Sequence, residues 1–214
     1  MINLRAFLIA TFYDRAMRSV ERCCLGEWRS ELLAPLRGDV LEIGTGTGAN
    51  LQYYPQQLKR LVLSEPDPYM RGQLQARVNK LPFKQVTVTQ CRAEQVNHPD
   101  ASFDHIVSTL VLCSVSDVNA TLKELKRLLK PGGSLILLEH VRADDNAGLL
   151  RLQKGLEPIW RWCACNCHLT RPTGQLLAQI GFETRLEQVE MKGAPPFVRP
   201  MIKGAAVRSW QHFK

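Results

Sequence analysis

Val40-Leu41-Glu42-Ile43-Gly44-Thr45-Gly46-Thr47-Gly48 is the stretch on which the fold turns. A short apolar run, the pattern of a buried strand in a parallel sheet, leads straight into glycines at every second position. Glycine permits a tight turn there and lets another group come close to the backbone. Downstream the same rhythm repeats. Residues 60–63, 86–89, 105–110 and 134–138 read as further buried strands. Residues 50–55, 68–80 and 118–129 read as helices between them. The last helix starts behind Ser116 and Asp117 as caps and stops at Lys130-Pro131-Gly132-Gly133. Such alternation predicts an α/β protein with a parallel sheet covered on both faces.

Outward from this core the pattern changes. Residues 1–37 read as helix, with Leu4, Phe7, Leu8, Phe12, Met17 and Val20 near helical spacing. Past His140, residues 142–171 form a long insert rich in Trp, Cys and basic residues. A helix follows, with Thr170 as N-cap, Pro172 in its first turn and Gly181 as C-cap. Residues 184–191 and 202–207 read as two last strands, joined through Gly193-Ala194-Pro195-Pro196 in a hairpin-like ending.

The chain has 214 residues, 45% of them apolar, which suits one sizeable core and one domain. That domain divides into a helical cap (1–37), a ligand-binding core (38–141) and a substrate-side insert with the final strands (142–214). At 22% charged residues the chain is no disordered polyelectrolyte. Its longest apolar stretches, such as 106–115, fall short of the roughly 20 residues that span a bilayer. No secretory signal is expected from the opening residues. Seven cysteines, an odd number, are expected to be reduced thiols. The net charge of +8 favours anionic partners, but the basic residues are scattered and form no tract.

About 20 residues beyond the glycines, the second strand ends at Ser64-Glu65-Pro66. A carboxylate there suits the two hydroxyls of a ribose. Two ligands meet that description. A dinucleotide needs helix N-terminal amides for its pyrophosphate. S-adenosylmethionine has no phosphate and carries a sulfonium and an ammonium. Glu42, just ahead of the glycines, suits a cation, and the turn at 129–133 with the two-strand tail also favours the methyl donor.

LEIGTGTG, LSEPDP, ASFDHIVSTLVL and LKELKRLLKPGGSLILLEH, within residues 40–141, resemble the class I S-adenosylmethionine-dependent methyltransferases. GTGANLQYYP, TLVLCSV, LLEHVRA, Glu157-Pro158-Ile159-Trp160, Cys167-His168-Leu169-Thr170-Arg171 and Pro200-Met201-Ile202-Lys203-Gly204 extend the likeness over about 40–208, to methyltransferase-like family seven and its bacterial relatives. The resemblance implies a Rossmann-like, seven-stranded, mostly parallel sheet with an antiparallel last strand, plus N-terminal helices and a lid-like insert. It implies S-adenosyl-L-methionine as donor and S-adenosyl-L-homocysteine as product. Animal members are thiol S-methyltransferases held to membranes by an N-terminal apolar segment. Bacterial relatives are associated with phospholipids or quinones. No such anchor is expected here, so the chain reads as cytoplasmic with peripheral contact to anionic membrane.

Carried over by position, Gly44, Gly46 and Gly48 line the methionine and ribose parts, with Glu42, Thr45 and Asn50 beside them. Glu65 holds the ribose hydroxyls. Pro66 and Ala93 flank the adenine, and Thr109 and Leu110 face the methionine part. Tyr13 closes over the donor. Where many relatives read Gly-Asp-Ala this chain reads Cys91-Arg92-Ala93, so backbone atoms or Glu94 are expected to replace the missing Asp.

Methyl transfer is an in-line displacement from a good leaving group, so holding donor and acceptor in line supplies much of the catalysis. A thiol must react as thiolate. An amine or phenol needs its neutral or deprotonated form and a base. His140, at the end of the fifth strand, and His168, in the Cys-His-Leu-Thr-Arg stretch, are the catalytic candidates, each weighed against a purely structural role. Arg171 either lowers an acceptor thiol's pKa or pairs with an acid. Phe12, Trp160 and Cys167 are candidate acceptor contacts, and aromatic packing explains the first two equally well. Cys163, Cys165, Cys167 and His168 are close in sequence but lack a distant second pair at zinc spacing, so no metal is expected. No Asn/Asp-Pro-Pro-Tyr/Phe motif follows the fourth strand, which argues against a nucleic-acid target. A small acceptor remains, best a thiol; a phospholipid head group, quinone or phenol is the alternative.

Overall fold

The computed structural model describes residues 3–82 and 85–209. Seven strands form one sheet in the order β3-β2-β1-β4-β5-β7-β6. They are β1 (Asp39–Ile43), β2 (Arg60–Ser64), β3 (Val86–Thr89), β4 (Phe103–Thr109), β5 (Leu129–His140), β6 (Phe182–Glu190) and β7 (Pro200–Arg208). All neighbours are parallel except that β7 runs antiparallel to both β5 and β6. The seven-stranded Rossmann-like expectation therefore holds, including the reversed last strand. Chain order turns back between β1 and β4, and ligands of such sheets bind outside the carboxyl ends at that point.

Each strand is fixed by what covers it. All five residues of β1 are buried. Leu41, Ile43 and Ile106 pack in one core layer with Phe103, Leu122, Leu125 and Leu128. Val40, Leu61, Leu63, Val107 and Leu74 fill the layer on the other face. Burying each Leu or Ile stabilises the sheet by about 2 kcal/mol, which holds the strand ends in place.

Helix α1 (Leu4–Val20) passes through a π-turn (Glu21–Leu25) into α2 (Gly26–Leu33). Helices α3 (Pro68–Val78) and α4 (Val118–Leu128) begin where the sequence places them. Asp67 accepts from the amides of Tyr69 and Met70, and Asp117 accepts from that of Ala120. Three readings need correction. Residues 50–55 give only a single 3-10 turn, Leu51–Tyr53, because Tyr54 is extended ahead of Pro55. The insert holds a long helix, α5 (Ala147–Cys163), with Pro158 inside it and Asn146 as its N-cap. Helix α6 (Thr173–Gln179) lacks the Thr170 cap, since the backbone amide and hydroxyl of Thr170 both donate to Glu157 Oε2. Among the described residues no helix is long and apolar enough to cross a membrane.

Candidate active site

A cavity of about 790 Å³ opens at the carboxyl edge, beside the ends of the neighbouring strands β1 and β4. One wall is the glycine turn, Gly44 to Thr47, with Glu65 and Pro66. Ala93 and Glu94 continue it. The loop after β4 forms the floor through Thr109, Leu110, Val111, Ser114 and Val115. Ala6, Ile9 and Tyr13 of α1 and Pro158, Arg161 and Trp162 of α5 close the far side.

The glycines do different jobs. A side chain at Gly44 would put its Cβ 2.6 Å from Val111 Cγ2, so this glycine allows the floor to pack. At Gly46, with φ +61°, the nearest foreign atom would be Met70 Sδ at 3.9 Å. The space over Gly46 is thus open to a ligand. Its amide donates to Glu65 Oε2 at 2.7 Å, and the Asp67 amide donates to Glu65 Oε1 at 2.8 Å. A carboxylate has about four acceptor positions, so Glu65 keeps room for two hydroxyl donors. Burial raises its pKa, against the pull of those two amides.

Glu42 and Asn50 lie beneath this surface. Glu42 is 1% exposed, and it accepts from Asn50 Nδ2 at 2.9 Å and from Tyr54 OH at 2.7 Å. Burial pushes its carboxyl from 4.5 up to about 7. Asn50 in turn accepts from Arg29 Nη1 at 2.6 Å, and Arg29 also donates to Thr109 Oγ1 and to both carboxylate oxygens of Glu21. Arg29 lines the cavity and was not singled out from the sequence, because nothing in an ordinary helix marks a residue that points at a distant strand end.

The floor loop is under backbone strain. Leu110 sits at φ 62°, and Cys165 and Asn166, which also face the cavity, sit at 51° and 64°. Each such residue costs about 1–2 kcal/mol unless its surroundings hold it. Glu139 supplies that hold, accepting from the amides of Val111, Leu112 and Cys113 and from Ser108 Oγ. The stretch at 166–171 takes the carbonyls of the same loop. Asn166 Nδ2 binds Ser114 O, the His168 amide binds Cys113 O, and Arg171 Nη1 binds Leu112 O and Val115 O.

This bracing explains where the remaining candidates lie. Tyr13, Gly44, Thr45, Gly46, Glu65, Pro66, Ala93, Glu94, Thr109 and Leu110 line the cavity. Glu42, Gly48, Asn50, Phe12, Trp160, Cys167, Arg171, His140 and His168 are not among its lining residues. Phe12 points outward at 56% exposure, and Trp160 packs edge-on against Phe197. Trp162 and Cys165 stand at the cavity instead, because Pro158, Arg161, Trp162 and Cys165 recur at the three- and four-residue spacing of one helix face. The His168 ring turns to Glu157 at 3.6 Å, and burial, with Arg171 and Arg161, lowers its pKa. His140 and Cys167 are buried behind the floor beside Cys113, a grouping that shares only Cys167 with the sequence cluster Cys163, Cys165, Cys167 and His168.

The methyltransferase domain family matches residues 41–137. The thiol S-methyltransferase TMT1B of Rattus norvegicus is 38% identical over 219 residues, covering 94% of this chain and 85% of the relative. The chain belongs to the class I S-adenosylmethionine-dependent methyltransferases, with methyltransferase-like family seven. The human thiol S-methyltransferase TMT1A is 33% identical over 174 residues, 79% of this chain and 70% of that one. A SAM-dependent methyltransferase of Thermotoga maritima shares the fold with a TM-score of 0.64 at 24% identity, over 96% of this chain and all of that one. Only a single 3-10 turn, and no full helix, stands directly behind the glycine turn, which fits a donor without a pyrophosphate.

Proposed function

We propose that this methyltransferase acts on the sulfur of a small apolar thiol, and that its whole chain serves as one unit with 1–37 and α5 as cover. S-adenosylmethionine, when bound, supplies an electrophilic methyl group on a sulfonium. Glu65, held by the Gly46 amide, orients the ribose, Pro66 and Ala93 border the adenine, and Thr109 and Leu110 support the methionine part. Tyr13 and Ile9 of α1 with Pro158 and Trp162 of α5 shut water away from the acceptor.

The observation that carries the thiol is the cast of titratable groups. Among the described lining residues there is no histidine and no lysine, and the cations Arg5, Arg29, Arg92 and Arg161 outnumber the carboxylates Glu65, Asp67 and Glu94. An acceptor must then lose its proton without a near-neutral base. A thiol, at about 8.5, does so far more readily than a phenol at about 10. Nearby guanidinium groups push it further toward thiolate. The names of the relatives support the same reading. His140, His168 and Arg171 serve in it as positioning residues for the floor.

Initial rates across alkane thiols, hydrogen sulfide, catechols and phosphatidylethanolamine, read as S-adenosylhomocysteine formed, test it. Thiols are expected to lead, with a pH profile that moves with the pKa of the thiol used. A catechol or amine that outpaces every thiol would overturn the reading. The second reading, methylation of a phospholipid head group or quinone, draws on the exposed apolar residues Leu4, Phe7, Leu8 and Phe12 of α1 and Leu152, Ile159 and Trp162 of α5. With Arg5, Arg15, Arg18, Arg151 and Lys154 exposed on the same helices, this face suits peripheral contact with an anionic membrane.

A further inference from the structure

Cys113, His140 and Cys167 arrive from three separate places: the loop after β4, the end of β5 and the turn after α5. They are 1%, 7% and 5% exposed, and their ligand atoms lie within 4.8 Å of one another. Cys167 Sγ stands 3.5 Å from His140 Nδ1. Zinc bonds of about 2.3 Å to sulfur and 2.0–2.1 Å to nitrogen, at a tetrahedral angle, set that edge at about 3.6 Å. The packing around the sulfurs is apolar, with Leu138, Leu169 and Met201. The other ring nitrogen, His140 Nε2, is buried with no hydrogen-bond partner among the described residues. Nδ1 faces the thiol, and a cation bound there would be a stronger partner than an S–H group, while Nε2 stays unpaired among the described residues. Arg171 and Glu139 brace the adjoining loop with opposite charges, so a dication joined to two thiolates adds no net charge.

We propose that Cys113, His140 and Cys167 form a metal site for a thiophilic divalent cation, Zn2+ above all. Two S–H bonds break, their protons pass to solvent, and two metal–sulfur bonds form beside one metal–nitrogen bond. No electron changes hands. The ion cross-links the floor loop, β5 and the stretch at 166–171, the segments that hold the cavity's strained floor. Three protein ligands leave a fourth position for a small ligand.

The full chain, reduced and stripped by a chelator, is titrated with Zn2+ and with Co2+. The expected result is one equivalent bound, two protons released, a thiolate-to-cobalt charge-transfer band and a higher Tm. Cys113→Ser and Cys167→Ser should each weaken binding at least tenfold, while Cys23→Ser and Cys163→Ser keep the full equivalent. Should the buried variants fail to fold, the wild-type chain answers alone. With its exposed cysteines alkylated it should still bind one Zn2+, and X-ray absorption should count two sulfurs and a histidine nitrogen. No stoichiometric binding, binding lost on alkylating the exposed cysteines, or a shell without sulfur would each overturn the site.

Discussion

Glu65 holds the turn and faces the cavity at once. Its two amide bonds, at 2.7 and 2.8 Å, set the carboxylate plane before any ligand arrives, so little ordering remains to be done on binding. Hydrogen bonds to a charged group contribute about 1.5–3 kcal/mol each. Glu65→Ala is therefore expected to weaken S-adenosylmethionine binding more than tenfold by calorimetry, and unchanged affinity would remove Glu65 from the ribose. Glu42 gives a prediction in pH. Its folded pKa, about 7, lies above the ordinary 4.5, so the folded chain binds more protons than the unfolded one between those values. Stability from this group is complete below pH 4.5 and is lost as pH climbs toward 7, by about 3 kcal/mol at full extent. Glu42→Gln should flatten that slope in denaturant melts from pH 5 to 8, and an unaltered slope would show that the carboxyl titrates normally. The glycine turn and Glu65 were legible in the sequence because backbone freedom and a carboxylate one strand later leave local marks. The place of Glu42 under the ligand surface was not, since only Tyr54 and Asn50, 12 and 8 residues away, reveal which way it points.

The secondary structure shows the same division. β1 to β4, α3 and α4 could be read because turn residues and caps bound each of them. α5 could not, because Pro158 and its Trp and Cys residues obscure the periodicity. Helix α1 was legible as a helix and, through the resemblance, as a cap, but the contacts that fasten it were not. It is tied down along its length. Asp14 accepts from Thr47 Oγ1 at 2.6 Å and pairs with Arg77; Gln73 donates to Ala10 O at 2.9 Å; Phe7 meets Tyr69 edge-on. At its near end Arg5 lies over the Trp162 ring of α5, 5.4 Å from its centre. The Asp14 contacts are half-exposed, so they add little to global stability. Asp14→Ala should leave the melting curve within about 1 kcal/mol, speed amide exchange across 4–14, and weaken donor binding about threefold to tenfold. Exchange that stays slow would mean that α1 is held by packing alone.

At the scale of the whole molecule, α1 and α5, the two helices that wall the cavity, carry exposed apolar residues in a chain of net charge +8. Vesicles containing phosphatidylglycerol should co-sediment with the chain, and neutral phosphatidylcholine vesicles should not. The binding should fall with salt, each engaged cation contributing about 1 kcal/mol. Leu4→Ser with Leu8→Ser and Ile159→Ser should abolish it and spare donor affinity; sedimentation that ignores these changes would place the contact elsewhere. Net charge is compatible with such a surface, but the meeting of the two helices at Arg5 and Trp162, 157 residues apart, is something no local pattern records. Helix α1 has one side turned to the reactants and the other to the surroundings. Were that helix to swing about its π-turn to let a nucleoside pass, Glu21, bound to Arg29, would carry the movement inward. A bilayer gripping the outer side of such a door would then set how often it opened, and turnover would report where the protein rests as well as what it has been fed.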